Sequence, residues 1–299
     1  MHLPSPNKFT RRQLLAAAAA GPLLGKSRIS RDRVSAITDE IARTPADAIA
    51  FLKQYGLKWA ELRSLPGKRG EYFVQPAADL KQAAREFKDA GIGVSFLNTS
   101  MCKYWLPGTE PVNPRAQKNP ARFENRKEEL RQAINAAHIF GVDKIRVFCF
   151  TRVAEAELLF PRIAEHLSEL AEIAGHDKMT LLIENEGACN VGTADELAKL
   201  LKMLPSKWIG VNWDPHNAAN RKEVAFPDGY EMIPAKRIGN VQIKGKSLLD
   251  PDIMDWAAIF QRLVKDGYKG KVGLETHIFG DIQIQKSHES MKEIIRIVG

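Results

Sequence analysis

The chain has 299 residues, 44% of them hydrophobic and 27% charged, a globular composition that excludes a disordered protein and suffices for one large core. Its formal net charge of +8 is concentrated, because Lys8, Arg11, Arg12, Lys26 and Arg28 fall in the first thirty residues, which hold no acid. Without those five the excess is only +3, and no Lys/Arg run is interleaved with aromatics elsewhere, so no nucleic-acid partner is expected.

Residues 1–30 read as an address. Phe9-Thr10-Arg11-Arg12-Gln13-Leu14-Leu15 precedes the mildly apolar run Ala16 to Leu24, and twin arginines before such a run resemble a Tat export signal. That resemblance implies a periplasmic or other extracytoplasmic location. The apolar run falls short of the roughly 20 residues that cross a bilayer, so no membrane span is expected in the mature protein. Cys102, Cys149 and Cys189 are widely spaced and odd in number, which gives no disulfide framework.

From Val34 onward, short β-branched or apolar runs alternate with longer segments of helical period, the pattern of a parallel sheet built from β/α units. The predicted strands are Val34 to Thr38, Lys58 to Leu62, Ile92 to Leu97, Lys144 to Phe150, Thr180 to Asn185, Trp208 to Trp213, Ile238 to Ile243 and Val272 to Thr276. Eight strands over this length predict a single-domain α/β fold, a (β/α)8 TIM barrel over residues 31–299. Predicted helices cover Pro45 to Tyr55, Pro76 to Ala90, Pro120 to Phe140, Ala154 to Gly175, Thr193 to Leu204, Asp255 to Lys265 and Gln285 to Val298. Pro45, Pro76, Thr193, Gly91 and Gly141 sit where helix boundaries favour them.

Two long connections, Asn98 to Asn119 and Pro215 to Pro234, each follow a strand and would cover the C-terminal face, where barrel sites are built. The first carries Tyr104 and Trp105, either as a wall of the site, with Trp105 against substrate, or as pins that hold the loop to the rim.

Side chains alternate across a strand, so half of each barrel strand points inward. Parity leaves Ile209, Val211 and Trp213 outside and Gly210, Asn212 and Asp214 inside. It leaves Gly239, Val241 and Ile243 outside and Asn240, Gln242 and Lys244 inside, and turns Glu61, Arg63, Glu184, Glu275 and His277 inward. Buried carboxylates must be paired, neutralised or bound to a cation. Glu184, Asp214, Gln242 and Glu275 recur about once per β/α unit, so four successive strands each supply one oxygen donor. That hard, oxygen-only set suits one Mn²⁺ or Mg²⁺. The alternative is a set of internal ion pairs with Arg63, Arg146, Lys244 and Lys246.

The chain resembles the xylose-isomerase-like TIM barrels, the sugar phosphate isomerase/epimerase group. The resemblance runs from about Val34 to the C-terminus. Its carriers are Ile37-Thr38-Asp39-Glu40-Ile41, Glu61-Leu62-Arg63, Ile183-Glu184-Asn185, Trp213-Asp214-Pro215-His216-Asn217, Lys244, Gly267-Tyr268 and Leu274-Glu275-Thr276-His277. It implies that Glu184 and Glu275 both hold metal and move protons. The seventh strand departs from the group, with Gln242-Ile243-Lys244-Gly245 in place of His-x-Lys-Asp, which looks like the dehydroshikimate-dehydratase-type members. The implied activity is isomerisation or epimerisation of a sugar or keto-sugar by proton abstraction next to a metal-bound carbonyl, through an enediolate. The alternatives are a lyase that eliminates a β-substituent from a 3-keto-glycoside or related keto-compound, and a non-catalytic sugar-binding barrel. Glu61, Arg63, Trp105, Arg146, His216, Asn217, Lys244 and His277 are the expected substrate contacts, and the substrate would be unphosphorylated, since no Gly-rich phosphate loop is evident. A homo-oligomer is compatible with this reading. His138, His166, His176 and His288 fall on helices and are expected at the surface.

Overall fold

A computed structural model describes residues 29–299, and the expected export signal lies outside the described residues apart from Ile29 and Ser30. Eight parallel strands follow one another around a barrel: β1 (Val34–Ala36), β2 (Trp59–Leu62), β3 (Gly93–Leu97), β4 (Lys144–Val147), β5 (Thr180–Glu184), β6 (Ile209–Trp213), β7 (Ile238–Lys244) and β8 (Lys271–Glu275). Neighbours in sequence are neighbours in the sheet, β8 pairs β1, and a parallel bridge between Ile37 and Glu61 joins β1 to β2. The eight predicted strands are all present.

The outer layer contains α1 (Pro45–Gln54), α2 (Ala77–Asp89), α3 (Arg126–Phe140), α4 (Phe160–His176), α5 (Ala194–Lys202), α6 (Pro215–Asn220), α7 (Trp256–Lys265) and α8 (Gln283–Val298). Their boundaries follow from local chemistry. Thr44 accepts from the Asp47 amide ahead of Pro45, and Thr193 and Glu196 form a reciprocal capping box at α5. Gly141 ends α3 at φ 68°, a conformation that costs glycine little. No helix of the described residues is long and apolar enough to cross a membrane.

Four details differ from expectation. The connection after β6 is not a plain loop, because α6 begins directly at Pro215 and short helical turns follow at Ala225–Gly229 and Tyr230–Met232. The predicted helix Pro120 to Phe140 breaks at Asn125 into Pro120–Glu124 and α3. The fourth strand ends at Val147, since Phe148, Phe150 and Thr151 donate their amides to Met101, Cys102 and Tyr104 of the long loop instead of continuing the ladder. Gly239 is not turned outward. A β-carbon there would lie 2.8 Å from Leu182 Cδ2, because the β6/β7 register shifts between Val211 and Asn212 and leaves Gly239 as an extra residue on β7.

Of the helical histidines, His138 and His176 are exposed, but His166 and His288 are half-buried, and His288 Nδ1 lies 2.8 Å from the Tyr55 hydroxyl.

Candidate metal centre

At the C-terminal ends of β5, β6 and β8, the carboxylates of Glu184, Asp214 and Glu275 converge, with one oxygen from each within 4.8 Å of the others. All three are buried. Their convergence follows from register: Leu182 lies opposite Gly210 and Lys244 opposite Glu275, so the inward positions of successive strands form layers.

Asp214 has a double position. It is the N-cap of α6, with Oδ1 accepting from the Asn217 amide at 2.9 Å. That leaves Oδ2 for the mouth, where it is buried and takes part in no aligned hydrogen bond, although the Lys244 ammonium stands 3.1 Å away. Burial pushes the Asp214 carboxyl up to about 7 against the pull of Lys244. Glu275 behaves oppositely. Burial would raise it, but Lys244 at 2.5 Å, His277, Arg146 and Arg63 together hold it well below the usual carboxylate range. The shared ammonium favours the carboxylate it approaches more closely.

The expected ion pairs are present too. Arg146 Nη1 donates to Glu184 Oε2 at 3.0 Å and lies 4.0 Å from Glu275 Oε2. Arg63 bridges Asp39, Glu40 and Glu275 at 2.7, 2.9 and 3.4 Å. Lys246 is exposed. The ion pairs do not balance the charge. Asp39, Glu40, Glu184, Asp214 and Glu275 make five carboxyl groups against the three cations Arg63, Arg146 and Lys244, a formal excess of two when all are ionised, and burial raises Glu40 and Asp214 toward their neutral forms. An excess of two, an unbonded buried oxygen and a set of hard donors together fit a divalent cation.

Gln242 lies in the same interior, fully buried. Its Oε1 accepts from Asn212 Nδ2 at 3.2 Å and its Nε2 donates to the Gly273 carbonyl at 3.3 Å. Asn212 also donates to Glu184 Oε2 at 2.5 Å, so one amide ties two expected ligands together.

The remaining expected site residues are distributed around this centre. Arg63, Arg146, Lys244 and His277 contact the carboxylates directly, with His277 Nδ1 3.5 Å from Glu275 Oε1. His216 is buried with Nδ1 unpartnered, and burial together with Lys244 and Lys246 brings its imidazole down to about 4, so it is neutral near neutral pH. Asn217 serves the backbone, its Nδ2 donating to the Asn185 carbonyl at 2.9 Å. Trp105 is half-buried on the long loop and its Nε1 donates to the Thr109 carbonyl, while Tyr104 packs edge-on against Phe150. Glu61 is fully buried, and its carboxylate accepts from Ser35, Asn98 and Asn240 in the layer of Gly273, one inward position before Glu275.

Two acids outside the expected contact set, Asp39 and Glu40, join the site through Arg63, and Glu40 Oε2 accepts from the His277 amide at 2.8 Å. Their signal is position, directly beyond β1 on the face where the other strands end. Asn212 and Asn240 belong to the inward parity set, and they prove to be the connectors between Glu184, Gln242 and Glu61.

A family model described as xylose isomerase-like TIM barrel matches residues 49–296. No curated protein sequence matches the chain. Among solved structures, a probable 3-DHS dehydratase involved in petrobactin synthesis from Bacillus anthracis superposes with TM-score 0.67 at 15% identity, covering 88% of this chain and 98% of that one. The apo form of a 3-keto-D-glucoside 4-epimerase from E. coli gives 0.65 at 15% identity, covering 89% and 98%. A xylose isomerase-like protein from Mycobacterium smegmatis in complex with magnesium gives 0.63 at 13% identity, covering 91% and 100%. At these identities the likeness establishes a shared fold.

Proposed function

Because the chain belongs to the xylose isomerase-like TIM barrel family, we propose that it is a divalent-metal-dependent sugar or keto-sugar isomerase or epimerase. The observation that carries this reading is the meeting of Glu184, Asp214 and Glu275 within 4.8 Å, in a mouth that holds two more acids than bases. Glu184, Asp214, Gln242 and Glu275 would hold Mn²⁺ or Mg²⁺. When bound, such an ion supplies Lewis-acid stabilisation of the negative charge that develops on a carbonyl oxygen beside a breaking C–H bond.

The chain's own residues do the rest. Glu184 from β5 and Glu275 from β8 reach the centre from different strands, so one carboxylate accepts the proton and the other returns it. Arg146 orients Glu184, and its Nε is fixed by the Thr99 carbonyl at 3.1 Å. Neutral His216 offers a ring nitrogen to a substrate hydroxyl. The magnesium complex of the Mycobacterium smegmatis protein supports a hard dication, and the E. coli 4-epimerase supports a keto-sugar.

Gln242 favours a second outcome of the same proton abstraction, in which a β-substituent departs and the enzyme is a lyase. The probable dehydratase from Bacillus anthracis has this fold, and elimination needs no second proton delivery to carbon. The twin-arginine segment supports a periplasmic setting, which cell fractionation tests.

Incubation of the metal-loaded protein with ketoses and 3-keto-glycosides in D₂O tests the function. Deuterium appearing at carbon supports isomerisation or epimerisation, and a released aglycone supports the lyase. A sugar that binds without exchange or cleavage would make the chain a binding protein.

A further inference from the structure

The mouth of the barrel already contains a cation. Lys244 lies on β7, is 3% exposed, donates to Glu275 Oε2 at 2.5 Å and stands 3.1 Å from Asp214 Oδ2. Both residues belong to the carboxylate cluster assigned to the metal. Oδ2 is the Asp214 oxygen without a hydrogen bond, since Oδ1 already accepts from the first turn of α6. A hard dication takes carboxylate oxygens at about 2.1 Å. An ammonium that keeps the same two oxygens would face that ion inside a buried pocket, where like charges repel strongly.

Resting on the metal reading above, we propose that Lys244 is a placeholder cation: it occupies the divalent-cation seat in the metal-free protein and releases Asp214 and Glu275 when the ion enters. Metal affinity is then set by a competition in which the resident ammonium must be displaced. Arg146 is not the competitor. Its guanidinium is fixed between the Thr99 carbonyl and Glu184, whereas a lysine stem is flexible and its head is a point charge that can find another acceptor.

Calorimetric titration of Mn²⁺ into chelator-stripped wild type and Lys244→Met tests the proposal. The variant should bind Mn²⁺ at least tenfold more tightly, and its metal-free form should melt below that of the wild type. Equal or weaker binding by a folded Lys244→Met, while the wild type binds, overturns the placeholder and leaves the metal reading standing. Absence of binding in both overturns both. Should the variant not fold, wild-type crystals grown with and without Mn²⁺ decide the matter. Nζ beyond hydrogen-bonding distance of Asp214 Oδ2 in the loaded form supports displacement, and Nζ unmoved beside a bound ion overturns it.

Discussion

Gly273 has no side chain where Glu61 needs the space: a β-carbon there would sit 1.9 Å from Glu61 Oε1 and 2.5 Å from its carboxyl carbon. The carboxylate cannot retreat cheaply, because Ser35, Asn98 and Asn240 all donate to it in a fully buried layer. Gly273→Ala should therefore destabilise the fold by about 3 kcal/mol, combining overpacking with a displaced polar group. A shift of the urea midpoint at constant slope measures it, and an unchanged midpoint would contradict this packing.

Glu184→Gln and Glu275→Gln remove the two carboxylates assigned to proton transfer. Each should lower kcat by roughly 10² to 10⁴, the usual worth of a positioned acid or base. Gln242→His keeps a metal donor and should lose less. Full activity in Glu275→Gln would refute its acid/base role, provided calorimetry finds metal bound.

Metal removal should be visible without any substrate. An ion that binds only the folded chain stabilises it by about 2.7 kcal/mol at one hundred times its dissociation constant. For a chain of this size that is a rise in Tm of roughly 5–10 °C, lost on adding EDTA. Asp214→Asn should bind more weakly and show a smaller rise in differential scanning fluorimetry.

Acid sensitivity is predicted away from the site, at the Arg152–Glu196 pair. Glu196 accepts from Arg152 at 2.5 and 3.1 Å and from the Gly192 amide at 2.7 Å. Burial opposes its charge, but Arg152 and that amide hold the carboxyl below its ordinary value. A depressed folded value means the unfolded chain takes up the proton first as pH falls. The pair's contribution is thus complete above the ordinary glutamate value of about 4.3 and disappears as pH drops through the lowered one. Glu196→Gln should cost about 2 kcal/mol at neutral pH. The gap to wild type should close on acidification, as denaturant titrations at several pH values would record.

The barrel was legible because each strand is a short β-branched or apolar run between helical stretches, a local signal repeated eight times. What escaped is tertiary. Pro215–Asn220 has little apolar period, so α6 is announced only by Asp214 as a cap and Pro215 at the first helical position. The early end of β4 depends on amides turning to Met101, Cys102 and Tyr104, which lie more than forty residues away.

Parity placed Glu184, Asp214 and Glu275 inside, and it held for Asn212, Asn240 and Gln242 as well. It failed at Gly239, where one extra residue interrupts alternation. Parity also carries no depth, and so Glu61 reads as a substrate contact although its carboxylate lies a layer beneath the mouth. The ion pairs to Arg63, Arg146 and Lys244 and the metal-ligand set are not exclusive alternatives, a point that only counting charges in three dimensions could make.

The most direct test is an anomalous difference map from crystals saturated with Mn²⁺. One strong peak is expected among Glu184, Asp214, Gln242 and Glu275, at about 2.0–2.3 Å from the carboxylate oxygens. A map with no peak there, or a peak only elsewhere on the barrel, would contradict it.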